Sequence, residues 1–180
     1  MNTHPAPIVD FSRITEYIYV GSSICCESHL KSVVFDEGIE AIISLDIEDS
    51  KTPRGAEFFL WLPIPDNTPP KMEQLRIGVR TIDEFVRMKK KVFVHCKYGL
   101  GRGPTLVIAH FIKHGMSVEE SLAYLRRHRV GTKPTISQLE QLSKYAEHVR
   151  KMSTERTEIH YEKPKTMGEI WKERKGPTLD

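Results

Sequence analysis

Cysteine is scarce in this chain. Three residues in 180 are too few to staple a disulfide framework, which points to a reducing setting and leaves each thiol open to chemistry. No apolar run approaches the ~18 residues of a membrane span. No dense run of lysine and arginine is interleaved with aromatics, so a nucleic-acid surface is not expected either. The first ten residues lack a basic start followed by an apolar run, so no secretory signal is visible. A cytoplasmic location is expected. The net charge of +3 suits an anionic substrate without marking a polyanion binder. No internal repeat is visible. What is present is ordinary: 39% hydrophobic and 28% charged residues, in a length that gives one domain and at most a tail, with a core that needs no staples.

The chain is organised around His95-Cys96-Lys97-Tyr98-Gly99-Leu100-Gly101-Arg102-Gly103-Pro104-Thr105. Lys91-Val92-Phe93-Val94 before it reads as a buried strand. Thr105 to Ile112 after it reads as an apolar helix ending at His114-Gly115, with Pro104 at the first helical position. A strand, a glycine-bearing loop and a helix N-terminus aim backbone N–H groups and the positive end of a helix dipole at one spot, which suits an oxyanion. Arg102 adds a planar two-pronged donor for phosphate-like oxygens. The same positive field favours the thiolate form of Cys96. The spacing assembles a nucleophile beneath an anion cradle.

His95-Cys96-x-x-Gly99-x-x-Arg102 resembles the phosphate-binding loop of the cysteine-dependent protein tyrosine phosphatase superfamily, most closely its small dual-specificity branch. Ile14-Thr15-Glu16-Tyr17-Ile18-Tyr19-Val20-Gly21 resembles a second recurring segment of that branch, a leading strand closed by glycine. The resemblance implies a single α/β domain with a four- or five-stranded, mainly parallel sheet and helices on both faces. It implies that Cys96 attacks phosphorus and that Arg102 and the loop amides of Lys97, Tyr98, Gly99, Leu100 and Gly101 hold the phosphate oxygens. It places the general acid on the loop after a strand, where Asp66-Asn67-Thr68-Pro69-Pro70 stands. Such a loop, proline-stiffened and long, often carries function, although its composition also suits a turn-forming aspartate. Asp46 and Asp49 are poorer candidates, because they follow a different strand. No metal or cofactor is implied.

A thiolate already activated by the loop needs no general base, so His95 is assigned to supporting the loop through a backbone hydrogen bond. Tyr98 is bulkier than the small residue common at its position and is expected at the pocket floor or rim. Gly103 departs from the family, whose residue after the loop arginine is Ser or Thr. The expected reaction is hydrolysis of phosphotyrosine, extending to phosphoserine and phosphothreonine, by a monomer through a cysteinyl-phosphate. Two alternatives lie close by: a non-protein phosphomonoester as substrate (phosphoinositide, nucleotide or sugar phosphate), and a weakly active phospho-binding module. A sulfur-transfer domain also places Cys in a loop before a helix, and the Gly99 spacing and Asp66 disfavour it.

The remaining elements follow in chain order. Residues 1–10 read as an N-terminal arm, 11–151 as the catalytic domain and 152–180 as a charged, flexible tail with a short helix around Gly168 to Lys175. Cys25-Cys26 read as burial in a short helix rather than a redox pair. Leu30 to Glu37 reads as helix and Ile39 to Leu45 as a central strand apolar on both faces. Phe58 to Leu62 reads as strand and Lys71 to Lys89 as a helix burying Leu75, Val79, Ile82 and Val86. Ser117-Val118-Glu119-Glu120 is a capping box for a helix to about Arg129, and Thr135-Ile136-Ser137-Gln138 is a second one. In the family a helix of the latter kind packs beside the active loop, so Gln138 could touch the site, but its capping role is the preferred reading. Arg126, Arg127 and Arg129 read as a solvated charge cluster.

Overall fold

A computed structural model describes residues 10–24, 29, 31–47 and 55–154. Cys25, Cys26, Asp49 and the helix expected around Gly168 to Lys175 lie outside the described residues. Five strands, β1 (Phe11–Arg13), β2 (Ile18–Ser22), β3 (Ala41–Asp46), β4 (Phe58–Ile64) and β5 (Val92–Cys96), form one sheet in the order β1-β2-β5-β3-β4. Only β1 runs antiparallel; β2, β5, β3 and β4 are mutually parallel. The expected α/β architecture is therefore present, with five strands.

Every residue of β3 and β5 is buried, as strands covered on both faces require. The period of two then sorts their side chains. Ala41, Ile43, Leu45, Val92, Val94 and Cys96 point to one core cluster, packed by α2 (Met72–Arg87), α3 (Arg102–Lys113), α4 (Val118–His128) and α5 (Ile136–Thr154). Ile42 and Phe93 point to the other, with Tyr19 of β2 and Val33 and Val34 of the π-helical segment α1 (Lys31–Asp36). Among the described residues, helices cover both faces, with α2 to α5 on one and α1 on the other. Cys96 belongs to the thicker layer, on the same face as α3.

Three boundaries differ from the sequence reading, each for a local reason. The strand expected from Ile14 begins at Ile18. Thr15 Oγ1 accepts hydrogen bonds from the N–H groups of Tyr17 and Ile18 at 3.2 and 3.0 Å, folding residues 14–17 into a turn. That turn reverses the chain between β2 and the antiparallel β1 that precedes it, an element with too few residues to show a period. β4 continues through Pro63 to Ile64, which an edge strand permits, since its outer side needs no N–H donor. Gln74 secures that end by donating to Pro63 O at 3.0 Å while capping α2 through Lys71 N at 2.9 Å.

The third difference lies at α3, which starts at Arg102, so Pro104 occupies its third position rather than its first. The first N–H groups of a helix have no intrahelical acceptor, so proline is tolerated there as well. The Ser117–Glu120 capping box forms as expected, with bonds of 2.7 and 3.1 Å.

Candidate active site

The carboxyl ends of β3, β4 and β5 bring Asp46, Asp66 and Cys96 to one rim of the sheet, where open α/β sheets place their ligands. Cys96 ends β5 and is 2% exposed. The chain then reverses through Gly99 at φ +66°, the left-handed region. A Cβ at Gly99 would lie 2.4 Å from the carbonyl carbon of Gly21 and 2.7 Å from the nitrogen of Ser22. The obstruction is backbone, so the loop closes against β2 only with glycine here. Gly101 caps α3 and Arg102 is its first residue.

The Arg102 side chain is 1% exposed. Nη1 donates to Ile64 O at 2.8 Å and stands 3.7 Å from Oδ1 of buried Asp46. Nη2 stands 3.1 Å from Oδ1 of Asp66, but neither Nη2 nor Nε makes a hydrogen bond. Two charge-bearing donors are thus held out of water without a hydrogen bond to any described residue, Nη2 having only its ion pair with Asp66, an arrangement that costs free energy unless an anion completes it. The two carboxylates are not equivalent. Asp46 is 3% exposed and cannot be screened, whereas Asp66 is 42% exposed on a turn and is within reach of solvent. Asp46 fixes the arginine's position, and Asp66 is the partner an incoming anion can replace.

Asp66 sits on the turn that follows β4. Asn67 adopts φ +59°, and Thr68 closes the turn with bonds from N and Oγ1 to Pro65 O at 3.3 and 2.7 Å. Gln138 then joins this turn to α5. Its Nε2 donates to Thr68 O at 3.0 Å, while its Oε1 accepts from Thr135 N at 3.0 Å in the capping box. Both readings of Gln138 hold at once: it caps α5 and it lines the pocket.

Arg129 corrects the sequence reading. It is 4% exposed rather than solvated. Nε donates to Gly99 O at 2.8 Å, and the two terminal nitrogens grip the Asp10 carboxylate at 3.0 and 2.6 Å. The signal was available in the spacing: Arg129 follows buried Leu125 by four residues and so shares its inward face. Asp46, which closes an all-buried strand, likewise needs a partner, and Arg102 supplies it.

The pocket encloses about 320 Å³ and is lined by Asp66, Cys96, Gly101 and Gln138, with Tyr98, Leu100 and Lys133 at its mouth. Tyr98 is 55% exposed, so it belongs to the rim. Lys97 Nζ stands 5.6 Å from the centre of its ring. His95 is buried and stacks on Phe93 with ring centres 5.3 Å apart. The arrangement brings a buried thiol and a partly exposed carboxylate to one small volume, with the Arg102 fork reaching that carboxylate from behind the lining.

Residues 18–148 match the family described as dual specificity phosphatase, catalytic domain. A tyrosine-protein phosphatase, yvh1, of Schizosaccharomyces pombe is 31% identical over 146 residues, covering 80% of this chain and 44% of that one. Dual specificity protein phosphatase 8 of Mus musculus is 27% identical over 157 residues, covering 86% of this chain and 23% of that one. The chain thus spans less than half the length of these curated relatives. Among solved structures, Tk-PTP in its active form is 35% identical, with a TM-score of 0.68 over 77% of this chain and 97% of that one.

Proposed function

The chain belongs to the dual-specificity phosphatase family, and from that premise we propose that it hydrolyses phosphomonoesters on proteins through a phosphorylated Cys96. The observation that carries this reading is the buried Arg102 fork, whose Nε and Nη2 make no hydrogen bond to a described residue beside the loop that Cys96 opens. In the first step the Cys96 sulfur attacks phosphorus. The S–P bond forms, the P–O bond to the substrate breaks, and the departing oxygen takes the proton of Asp66. Arg102 and the amides of residues 97–102 hold the three equatorial oxygens as charge builds on them. As the phosphate engages Arg102, it displaces the Asp66 carboxyl from Nη2 and frees it to reach the leaving group. In the second step the Asp66 carboxylate takes a proton from water, the water oxygen bonds to phosphorus, and the S–P bond breaks to return the thiolate. No metal is required in either step. His95 holds the loop through a backbone hydrogen bond in this reading.

A pocket of about 320 Å³ with exposed Tyr98 and Leu100 at its mouth suits phosphotyrosine and also the shorter phosphoserine and phosphothreonine. A non-protein phosphomonoester is the second reading, favoured by exposed Lys133 at the same mouth. Kinetics on phosphotyrosine and phosphoserine peptides, run beside a phosphoinositide, a nucleotide and a sugar phosphate, separate the two. Higher kcat/KM on the peptides supports the protein reading, and the reverse order replaces it with the second. Among the described residues no helix is long and apolar enough to cross a membrane.

A further inference from the structure

At the end of α3 away from the phosphate loop stands a second group of side chains. His110 and His114, four residues apart, lie on one face of the helix, and that face meets Asp83 of α2. His110 Nδ1 and His114 Nε2 each lie 2.9 Å from the same carboxylate oxygen, Oδ1. The three potential ligand atoms fall within 4.8 Å of one another. The other oxygen, Oδ2, accepts a hydrogen bond from Lys113 Nζ, which fixes the carboxylate's rotation and turns Oδ1 toward both rings. His110 Nδ1 is sealed from solvent and, although close to Oδ1, makes no hydrogen bond to a described residue. His114 is 57% exposed and opens the group to a surface cavity of about 300 Å³ shared with Val86 and Arg87. The Arg87 charge is taken up by Glu84 at 2.5 Å.

Burial pushes the Asp83 carboxyl up, but the close approach of His110, Lys113 and His114 outweighs it and holds the group well below the usual carboxylate range. The Asp83 carboxylate, the buried Nδ1 of His110 and the Nε2 of exposed His114, which is hydrogen-bonded to Oδ1, form a donor set of two nitrogens and one oxygen. That set matches borderline transition cations better than calcium or magnesium, which prefer oxygen alone.

We propose that Asp83, His110 and His114 bind a divalent transition cation of the zinc class, with water from the cavity as fourth ligand. Zinc takes imidazole nitrogen at ~2.0–2.1 Å and carboxylate oxygen at ~2.0–2.2 Å, so tetrahedral ligand atoms stand about 3.3 Å apart. The 2.9 Å contacts need to open by only a few tenths of an ångström. Lys113 serves as the outer partner that orients the carboxylate, and its charge moderates the affinity. The ion clamps α2 to α3, the helix that begins with Arg102.

The test uses the full chain carrying Cys96→Ser, which removes the reactive thiolate, compared with the same chain carrying His114→Ala in addition. Calorimetric titration with Zn²⁺ should show one equivalent more in the first protein than in the second. Titration with Co²⁺ should give visible ligand-field bands, without thiolate charge transfer, that the His114→Ala protein loses. Asp83→Asn should weaken the same equivalent at least tenfold. Since His114 is exposed, its replacement leaves the fold intact, and thermal unfolding checks this directly. Equal stoichiometry in the two proteins, or a missing equivalent that carries the thiolate charge-transfer signature, overturns the proposal.

Discussion

Arg129 and Gly99 are thirty positions apart and joined by one bond, from Nε to the Gly99 carbonyl oxygen at 2.8 Å. Through it the C-terminal cap of α4 fixes the reversal of the phosphate loop, and the same guanidinium pins Asp10 ahead of β1. Lysine keeps the charge but cannot serve both partners in one plane. A lost hydrogen bond from a charged group is worth ~1.5–3 kcal/mol, or roughly tenfold to a hundredfold where it bears on the transition state. Arg129→Lys should therefore lower kcat/KM and weaken vanadate inhibition in parallel. Asp10→Asn should change both little, because Asp10 is 63% exposed. An Arg129→Lys protein within twofold of wild type in both measurements would show that the bond does not position the loop.

Gly99→Ala should be the most damaging one-carbon change in the site. Its Cβ would meet Gly21 backbone at 2.4 Å in a φ of +66° that L residues rarely adopt. The left-handed conformation alone costs ~1–2 kcal/mol, and the collision must also push the loop away from β2. Activity should fall by more than about a hundredfold, with a lower melting temperature. Near-normal turnover would mean the loop closes some other way.

Asp66→Asn tests the acid. The loss should be large on phosphoserine peptides, whose alkoxide leaves only with a proton, and small on activated aryl phosphates. The variant should still bind vanadate, since Asp46 and Ile64 O continue to hold Arg102. Equal slowing of both substrate classes would remove Asp66 from the mechanism.

Gly103 bears on the second step. Resemblance to the family supplies a Ser or Thr hydroxyl at this position to steady the departing sulfur. Here the nearest hydroxyl on the loop's helix, Thr105 Oγ1, donates instead to Gly101 O at 2.8 Å. Hydrolysis of the intermediate should therefore limit turnover and give a burst of phenol release approaching one per site. A Cβ at Gly103 would meet only ordinary contacts, the nearest at 3.5 Å from Val94 O, so Gly103→Ser should fold, shrink the burst and raise the steady rate. Wild-type kinetics without a burst, unchanged in Gly103→Ser, would mean another group steadies the sulfur.

What the sequence made legible was whatever repeats or clusters locally. The mostly apolar β3 and β5, the stripe on α2 and the Ser117–Glu120 box each carry their signal within a few residues. The placement of Cys96 and Arg102 at the two ends of one loop was readable because strand, loop and helix N-terminus are contiguous. Pairings across the fold were not. Asp46 meets Arg102, Gln138 meets Thr68, and Arg129 meets Asp10 only once the sheet order is known. Arg126 and Arg127 beside Arg129 suggest a solvated run, whereas the four-residue spacing from buried Leu125 places Arg129 inward. The turn at Thr15 was hidden inside a stretch whose composition reads as continuous strand.

The most direct test of the account is rapid-quench mass spectrometry of the protein mixed with an aryl phosphate. Within the burst, the peptide containing Cys96 should carry one phosphoryl group on sulfur, and Cys96→Ser should carry none while still binding vanadate through Arg102 and the loop amides. Turnover without any phosphorylated Cys96, or with the phosphoryl group on another residue, would contradict it.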